Sequence, residues 1–359
     1  MNQNQRISAF AELGAKLKQM LESTENTVGQ GDTKDSDFRH VLRSAQLQNP
    51  WFIPENTVFA LRQWAELLTK NKLESWIEPY HLQLEKQLVS KRVGVVNAGN
   101  IPLVGFHDFL SVLISGHSYL GKNASDDALL LPYIAGLLQN IEPGFKEQVS
   151  FTDRLAHYDA VIATGSNNTA RYFEHYFGKV PHIIRKNRNG VAVLKGNETA
   201  AQLKLLGEDI FRYFGLGCRN ISKLYVPKQY DFSLFFESMM SFQDVMGHNK
   251  YMNNFEYHNT VYLLKTIPFL QNGFMILKED VSIPSPIAVV HYEKYTDENE
   301  LRQQLINDRE KLQCIATENK ELFSGSGLEQ ILTDLGNTQH PGLSDYADGV
   351  DTVRFLSVI

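Results

Sequence analysis

Strand-like and helix-like segments alternate between Lys91 and Leu194, and this alternation limits the possible folds more than any other feature of the sequence. The β-branched, apolar runs Arg92–Asn97 and Tyr158–Thr164 are typical of buried strands, and segments with helical periodicity follow at Ala128–Leu138 and Asn168–Phe177. Parallel strands need a crossover connection, which is usually a helix. The sequence therefore predicts βαβ units, a mainly parallel sheet and a cofactor-binding domain of the α/β class.

The chain of 359 residues is long enough for two domains at roughly 100–200 residues each. Residues 1–90 have a helical pattern with a polar loop predicted at Gly29–Asp37, and residues 91–190 form the candidate nucleotide-binding domain. A second α/β segment, the candidate catalytic domain, covers 191–335 and includes a strand predicted near Thr260–Leu264. In the tail, 336–359, the apolar residues of Thr352–Ile359 predict one more strand.

The charge and hydropathy of the chain exclude several classes of protein. Its formal net charge of −6 lacks the basic excess of a general nucleic-acid binder. No apolar run approaches the ~18 residues of a membrane-spanning helix, and no apolar signal core follows the polar start at Met1–Arg6. We therefore expect a cytoplasmic protein without a membrane span or a nucleic-acid partner.

The two cysteines are too few for a disulfide framework and lack the paired spacing of a zinc site. Cys218 follows the turn Gly215–Gly217, where backbone N–H groups can favour a thiolate and bind an oxyanion. A nucleophile is one interpretation, and a small buried apolar residue is the other. Cys314 lies in an apolar strand pattern and is predicted to be structural.

Three weaker signals lie at the ends of predicted strands. Asn100, just before Pro102, either donates its amide to an oxyanion or stabilises a turn. Lys122 is the last residue of a predicted strand, and its side chain either binds a ligand or is a solvated strand end. Gly165 and Ser166 either approach a phosphate or begin a helix with Ser166 as its N-cap. The sequence around them has neither the three-glycine pattern of dinucleotide-binding proteins nor the Walker pattern.

A basic cluster, Arg185, Lys186 and Arg188, lies between two predicted strands. A charged hairpin tip is the simpler interpretation, and contact with phosphates is the alternative. His291 and His340 have no partner at metal-ligand spacing, so the sequence predicts no metal site.

Taken together, these signals resemble the aldehyde dehydrogenase superfamily. Asn100, Lys122, Gly165-Ser166 and Cys218 stand in the order of its oxyanion asparagine, ribose-binding lysine, nicotinamide-side turn and catalytic cysteine, at similar intervals. From about Gln48 onward the chain resembles, more narrowly, the LuxC-type acyl-CoA reductases. The motifs that carry this likeness are Asn49-Pro-Trp-Phe, Asn97-Ala-Gly-Asn-Ile-Pro-Leu-Val, Ala163-Thr-Gly-Ser-Asn-Asn-Thr-Ala-Arg-Tyr, Phe214-Gly-Leu-Gly-Cys-Arg-Asn and Asp345-Tyr-Ala-Asp-Gly-Val-Asp-Thr.

The resemblance implies a doubly wound cofactor domain, a smaller α/β catalytic domain carrying Cys218, and a tail that returns to the first domain or forms an oligomer contact. It also implies that Cys218 attacks the carbonyl of an acyl-CoA, with the Asn100 amide and the Cys218 N–H holding the oxyanion. Hydride from a nicotinamide would then reduce the acyl-enzyme to an aldehyde.

Three departures from the superfamily refine this expectation. The general-base glutamate of hydrolytic members has no counterpart in Arg185–Gly190, which suits acyl transfer from CoA because water attack would waste the intermediate. The ribose-side glutamate has no counterpart in Val281–Pro286. Ser125, three residues after Lys122, replaces an acid and favours NADPH over NADH, although Asp126 and Asp127 lie beside it.

The leading hypothesis is therefore reduction of a fatty acyl-CoA, or another acyl thioester such as one on an acyl carrier, to an aldehyde by NADPH, with NADH as the alternative cofactor. Two alternatives remain open. One is an acyl-phosphate or aldehyde oxidoreductase of the same superfamily, and the other is an acyltransferase-like, thioester-forming component of a complex. We expect a homo-oligomer or a complex with an acyl-handling partner.

Overall fold

The computed structural model describes residues 1–26, 36–85 and 89–359 and contains two compact units. Unit 1 comprises Met1–Lys186 together with Gly342–Ile359, and unit 2 comprises Asn187–Pro341. The loop predicted at Gly29–Asp37 lies outside the described residues except for its last two, which begin a helix.

Unit 1 contains a five-stranded parallel sheet preceded by helices. Its helices are α1 (Gln3–Asn26), α2 (Ser36–Gln48), α3 (Pro54–Leu67), α4 (Lys70–Ile77), α5 (His81–Glu85), α6 (Phe106–Ile114), α7 (Leu130–Ile141), α8 (Asn167–Phe177) and α13 (Thr352–Leu356). Its strands are β1 (Arg92–Val96), β2 (Ser118–Lys122), β3 (Val149–Phe151), β4 (Ala160–Thr164) and β5 (His182–Arg185).

The sheet of unit 1 has the strand order β3-β2-β1-β4-β5. The chain moves from β1 to β3 in one direction and then returns to the other side of β1 with β4, so the order reverses between β1 and β4. Because all strands are parallel, β1, β2 and β4 end at the same edge of the sheet. The predicted parallel α/β architecture is confirmed, and the reversal defines a crevice at the carboxyl edge, where ligands bind in such sheets.

The helical N-terminal region shares its apolar core with the sheet domain. The buried ring of Phe10 in α1 packs edge-to-face against Phe109 of α6 and Phe145, with ring centroids 6.3 and 5.7 Å apart. A helix with one apolar stripe must bury it against another element, and here the stripe of α1 covers α6 and α7. The region is therefore a layer of unit 1.

Unit 2 contains a seven-stranded sheet of order β12-β11-β6-β7-β10-β9-β8, in which only the pair β8 and β9 is antiparallel. Its strands are β6 (Asn189–Val193), β7 (Ile221–Pro227), β8 (Leu270–Gln271), β9 (Ile276–Glu279), β10 (Val289–Tyr295), β11 (Leu312–Thr317) and β12 (Leu332–Thr333). Its helices are α9 (Ala200–Phe211), α10 (Ser233–Met239), α11 (Asn249–Leu264) and α12 (Glu298–Asn307).

Two predictions of secondary structure are wrong. Thr260–Leu264 is the last part of α11 and not a strand, because the helix that begins after its N-cap His248 continues through it. Thr352–Leu356 forms the short helix α13, whose N-cap Asp351 accepts a hydrogen bond from the Arg354 N–H at 2.8 Å. Capping by Asp351 and burial of Val353 and Leu356 favour a helix where the apolar pattern alone predicted a strand.

The C-terminal segment Gly342–Ile359 is hydrogen-bonded to several parts of unit 1. The Tyr346 hydroxyl accepts from Trp76 Nε1 at 2.9 Å and lies 3.1 Å from the Tyr80 hydroxyl. His117, fully buried, accepts from the Lys91 N–H through Nδ1 at 3.0 Å and donates through Nε2 to the Leu356 carbonyl at 2.9 Å. The neutral imidazole therefore joins the end of the chain to the start of β1.

Lowering the pH is expected to reduce the free energy of unfolding of unit 1, because His117 is buried as a neutral imidazole. Burial lowers the pKa of His117 below the usual 6.5, so the unfolded chain takes up the proton first and stability falls as the pH drops below about 6.5. The slope contributed by this residue is about 1.4 kcal/mol per pH unit between the two pKa values. Urea unfolding followed by tryptophan fluorescence at pH 7.5 and 5.5 should therefore show a larger loss for the wild type than for His117→Gln.

His40→Gln is the matched control, since His40 is exposed and its ring lies 3.5 Å from the Ser44 hydroxyl. It should keep the wild-type pH dependence. Equal pH dependence in the wild type and His117→Gln would refute the assignment. Variants must be compared because a second buried group titrates in the same unit. Burial raises the pKa of Asp127 to about 7, so its protonation on acidification stabilises the folded state, whereas that of His117 destabilises it.

Candidate active site

One candidate site lies at the carboxyl edge of the sheet of unit 1, where the strand order reverses. Asn100 lies in the bend after β1, and Gly165 and Ser166 follow β4, the neighbouring strand. Lys122 is the last residue of β2, on the other side of β1, and its side chain is exposed. The four residues therefore share one sheet edge, which agrees with a nucleotide site.

The Gly165–Ser166 turn begins α8. Ser166 is the N-cap, and its hydroxyl accepts a hydrogen bond from the Thr169 N–H at 3.2 Å, so the helix-capping interpretation is confirmed. A Cβ on Gly165 would lie 2.9 Å from the ring of Phe173 and 3.0 Å from Thr169 Cβ. Only glycine lets β4 and α8 approach this closely. Capping does not exclude a role at a phosphate, because the exposed start of a helix also suits an anion.

The loop that carries Asn100 is held by buried polar groups. Asn49, from the connection between α2 and α3, donates through Nδ2 to the Gly99 carbonyl at 3.5 Å. Leu103 has a left-handed backbone with φ of 59°, and its N–H donates to Asp127 Oδ2 at 3.1 Å. Burial raises the pKa of Asp127 to about 7, so this carboxyl serves the loop backbone and is not exposed to a ligand.

Ser125 begins a 3-10 turn, Ser125–Asp127, after β2 and is exposed. Its carbonyl accepts from Gln48 Nε2 at 2.5 Å, and its hydroxyl donates to Asp126 Oδ1 at 3.4 Å. Of the two acids beside it, Asp127 is buried and Asp126 is exposed. Only Asp126 could therefore repel a phosphate near Ser125.

A separate candidate site lies in unit 2 around Cys218. The residue is exposed in a turn between α9 and β7 and takes part in no disulfide. Cys314 in β11 is buried, and its thiol donates to the Arg219 carbonyl at 3.6 Å. One cysteine is therefore exposed and the other buried, and Cys314 provides an internal control for labelling.

Asn220, to which the sequence alone assigned no role, organises the Cys218 turn. Its side chain is 2% exposed, and Nδ2 donates to the carbonyls of Asp209, Ile210 and Arg212 at 2.9, 3.4 and 2.7 Å. Its Oδ1 accepts from the Gly217 N–H at 2.8 Å. One amide thus joins the end of α9 to the residue before Cys218. An asparagine two residues after a candidate nucleophile is the only sequence signal for this role.

The backbone just before Cys218 is strained. Tyr213, Phe214 and Gly215 have φ values of 54°, 57° and 76°, so α9 does not continue beyond Phe211. The left-handed region costs a non-glycine residue about 1–2 kcal/mol. The chain keeps this conformation because both aromatic side chains are buried and the ring of Phe214 packs against that of His248, with the centroids 4.3 Å apart and the rings tilted by 35°. Such strain clusters at functional sites.

A small apolar cavity adjoins this turn within unit 2. Its volume is about 30 Å³. Its lining includes Phe214, Ile221, Tyr251, Met275, Ile287 and Val290. Ligand pockets are usually about 300–1,000 Å³, so this space is too small to hold a substrate as it stands.

The basic cluster is not a hairpin tip. β5 belongs to the sheet of unit 1 and β6 to the sheet of unit 2, so the segment between them joins two units. Arg185 is buried and forms two hydrogen bonds with Asp108, so it is also excluded as a surface phosphate ligand. Lys186 pairs with Glu174 and Arg188 with Glu310, each at 3.2 Å.

The segment Val281–Pro286 is held by side chains from β7 and β10. Lys223 Nζ donates to the Val281 carbonyl at 2.8 Å, and His291 Nδ1 donates to the Ser282 carbonyl at 3.0 Å. Burial lowers the pKa of His291. Within the described part of the chain, no group of three or more His, Cys, Asp and Glu side chains could hold a metal ion.

Comparison with solved structures identifies the architecture. Aldehyde dehydrogenase 21 from Physcomitrella patens, in complex with the reaction product succinate, matches with a TM-score of 0.69 and 14% identity over 99% of this chain and 84% of that chain. HpcC from Thermus thermophilus matches with a TM-score of 0.65 and 11% identity over 94% and 74%. An NAD⁺ complex of an aldehyde dehydrogenase from Bacillus cereus matches with a TM-score of 0.60 and 13% identity over 92% and 74%.

No protein-family model and no curated protein matches the sequence. The chain has the aldehyde dehydrogenase fold, an α/β architecture with two sheets, and the predicted fold class is confirmed. Among the helices that the structure describes, none is both long and apolar enough to cross a membrane.

Proposed function

We propose that this protein is an oxidoreductase that reduces an acyl-CoA, or a related acyl thioester, to an aldehyde through a thioester on Cys218. The observation that carries the proposal is the exposed Cys218, presented by a strained turn that the buried Asn220 holds in place. The aldehyde dehydrogenase fold, the superfamily-like order of Asn100, Lys122, Gly165-Ser166 and Cys218, and the LuxC-type motifs given above support it.

In the proposed reaction the Cys218 thiolate attacks the acyl carbonyl, a new C–S bond forms, and the C–S bond to CoA breaks. The Asn100 amide and the Cys218 N–H stabilise the oxyanion. CoA leaves as a thiolate and takes up a proton. When aldehyde is released, the bond between the acyl carbon and Cys218 breaks and Cys218 returns to the thiolate.

A nicotinamide cofactor, when bound, supplies the hydride for this reduction. Lys122, Ser125, Gly165 and Ser166 are the residues proposed to hold it, because they share the edge at which the strand order reverses. The exposed start of α8 suits a phosphate, and the exposed Lys122 side chain suits ribose hydroxyls. We favour NADPH because Ser125 replaces an acid, with NADH as the alternative since Asp126 is exposed beside it.

The linker between the units supports reduction over hydrolysis. No carboxylate is present from Arg185 to Gly190, and Arg185 and Arg188 are themselves paired with Asp108 and Glu310. Without a general base there, water is activated poorly. The acyl group on Cys218 is then retained for the hydride.

The test compares the wild type, Cys218→Ser and Cys314→Ser with radiolabelled acyl-CoA, with and without NADPH. The wild type and Cys314→Ser should bind label without cofactor and release labelled aldehyde with it. Cys218→Ser should lose at least about 10³-fold in aldehyde formation, because a serine hydroxyl without an adjacent base is a weak nucleophile.

Unchanged turnover by Cys218→Ser would reject the mechanism. If acyl phosphate labels Cys218 and acyl-CoA does not, the proposed substrate class is wrong and the substrate is an acyl phosphate. If the label stays on Cys218 in the presence of NADPH and no aldehyde forms, the proposed reduction is wrong and acyl transfer to a partner takes its place.

A further inference from the structure

We propose that the C-terminal segment Gly342–Ile359 is a positioning element for the nucleotide-binding edge of unit 1 and that it acts through Arg185. The inference rests on the proposed function, since it concerns the same edge of the sheet. It assigns positioning roles to Arg185 and Thr352, neither of which the mechanism above uses.

Arg185, at the end of β5, joins three elements from a buried position. Its guanidinium donates to Asp108 through Nη1 at 2.5 Å and Nη2 at 2.8 Å, and Nη2 also donates to Thr352 Oγ1 at 3.0 Å. Asp108 and Arg185 are each 5% exposed, and Thr352 is fully buried. A two-pronged arginine–carboxylate pair fixes distance and orientation together.

The backbone of Arg185 reaches the proposed nucleotide turn. Its carbonyl accepts a hydrogen bond from the Gly165 N–H at 3.3 Å, directly before the N-cap Ser166. Asp108 lies in the first turn of α6, which begins immediately after the loop that carries Asn100. A single residue therefore links both chain segments to which the proposed function assigns cofactor and oxyanion roles.

The C-terminal segment is tied to this residue by more than one contact. Thr352 Oγ1 accepts from Arg185 and also lies 3.4 Å from the Val350 carbonyl, to which it donates. Asp348 has a left-handed φ of 59° and accepts from the Lys186 N–H at 3.2 Å. The segment thus contacts the last residue of β5 and the residue that follows it, and the hydrogen bond from Trp76 to Tyr346 also holds the segment in place.

Apolar packing of the C-terminal segment does not by itself account for its polar contacts with Arg185 and Lys186. Val353 and Leu356 already bury the apolar face of α13, and the Thr352 hydroxyl adds a directional contact on a buried guanidinium. The pair with Asp108 remains, but losing the Thr352 acceptor removes the contact that ties the C-terminal segment to the guanidinium, and we expect the Arg185 carbonyl then to shift relative to the Gly165 N–H. The Gly165–Ser166 turn should respond, whereas the Cys218 turn, which belongs to unit 2, should not.

The test compares Thr352→Val, which keeps the shape and removes the hydroxyl, with Thr352→Ser, which restores it. Ser357→Ala is the matched control, because the Ser357 hydroxyl donates to the Arg354 carbonyl at 2.8 Å, three residues earlier on the same segment. Dissociation constants for NADPH and NADH are measured well below the melting temperature, together with hydrogen exchange over residues 97–105 and 164–168.

Thr352→Val should weaken nucleotide binding about 5- to 50-fold and speed exchange in both segments, whereas Thr352→Ser stays within about twofold of the wild type. Ser357→Ala should change neither measurement. Alkylation of Cys218 by iodoacetamide should proceed at the wild-type rate in all three variants.

A lower melting temperature of Thr352→Val with unchanged dissociation constants and unchanged exchange would overturn the proposal and leave a structural role only. If the wild type binds neither nucleotide, the proposed function fails. Hydrogen exchange then decides the positioning role by itself: faster exchange in Thr352→Val supports it, and exchange equal to that of the wild type rejects it.

Discussion

Asn220→Ala should lower the free energy of unfolding of unit 2 by about 3 kcal/mol, because it removes one buried amide from four backbone groups at once. The carbonyls of Asp209, Ile210 and Arg212 lose their donor, and the Gly217 N–H loses its acceptor. Each buried group left without a partner costs about 1–3 kcal/mol, and water entering the space recovers part of the sum.

The same substitution should slow the alkylation of Cys218 in the folded protein or give it more than one rate. The reason is that Asn220 fixes Gly217, which lies between the strained residues Tyr213–Gly215 and the cysteine. Asn220→Asp should be at least as damaging. An ionised aspartate keeps the acceptor for Gly217 and places negative charge against three carbonyl oxygens.

Unfolding of unit 2 can be followed by alkylation of the buried Cys314 in a Cys218→Ser background. Asn254→Ala is the matched control, because Asn254 donates to the Lys250 carbonyl at 2.8 Å from an exposed position on α11. It should change stability by less than about 0.5 kcal/mol. Equal effects of the Asn220 and Asn254 substitutions would show that Asn220 is not the clamp of the turn.

Asp108→Asn should lower the free energy of unfolding of unit 1 by about 3–5 kcal/mol. The change leaves the Arg185 guanidinium buried without its counter-charge, and an amide offers one acceptor where the carboxylate offers two. All three tryptophans, Trp51, Trp64 and Trp76, lie in unit 1, so tryptophan fluorescence during urea unfolding reports this unit.

Glu174→Gln provides the comparison for an exposed ion pair, since Glu174 and Lys186 are about half exposed and 3.2 Å apart. It should cost less than about 1 kcal/mol. The double variant Asp108→Leu with Arg185→Met should be more stable than Asp108→Asn, because it removes both buried charges. If Asp108→Asn costs no more than Glu174→Gln, the buried pair does not hold α6 against β5.

The parallel sheet of unit 1 follows from local sequence patterns. The runs in β1 and β4 are apolar and β-branched, and these strands form where the periodicity predicts them. The positions of Asn100 and Gly165-Ser166 at strand ends follow as well, because a strand that ends in Gly, Asn or Ser passes into a turn. The exposure of Cys218 agrees with its place after Gly215–Gly217.

Other elements could not be predicted from local patterns. The stretch Thr352–Leu356 is short and apolar enough for a strand, and the Asp351 cap and its place against α6 make it a helix. The cluster of Arg185, Lys186 and Arg188 has the composition of a solvated turn, yet its first residue is buried. Composition does not show which of several adjacent cations will find a carboxylate in the core.

The sequence by itself determined the α/β class, the ends of the strands and the residue types available for chemistry, because these depend on periodicity and turn chemistry over a few neighbouring residues. Only the tertiary structure decided the contacts of Arg185, which joins Asp108 and Thr352 at separations of 77 and 167 residues along the chain. Whether a polar side chain is buried and satisfied depends on which distant group lies opposite it, and that is settled when the elements pack.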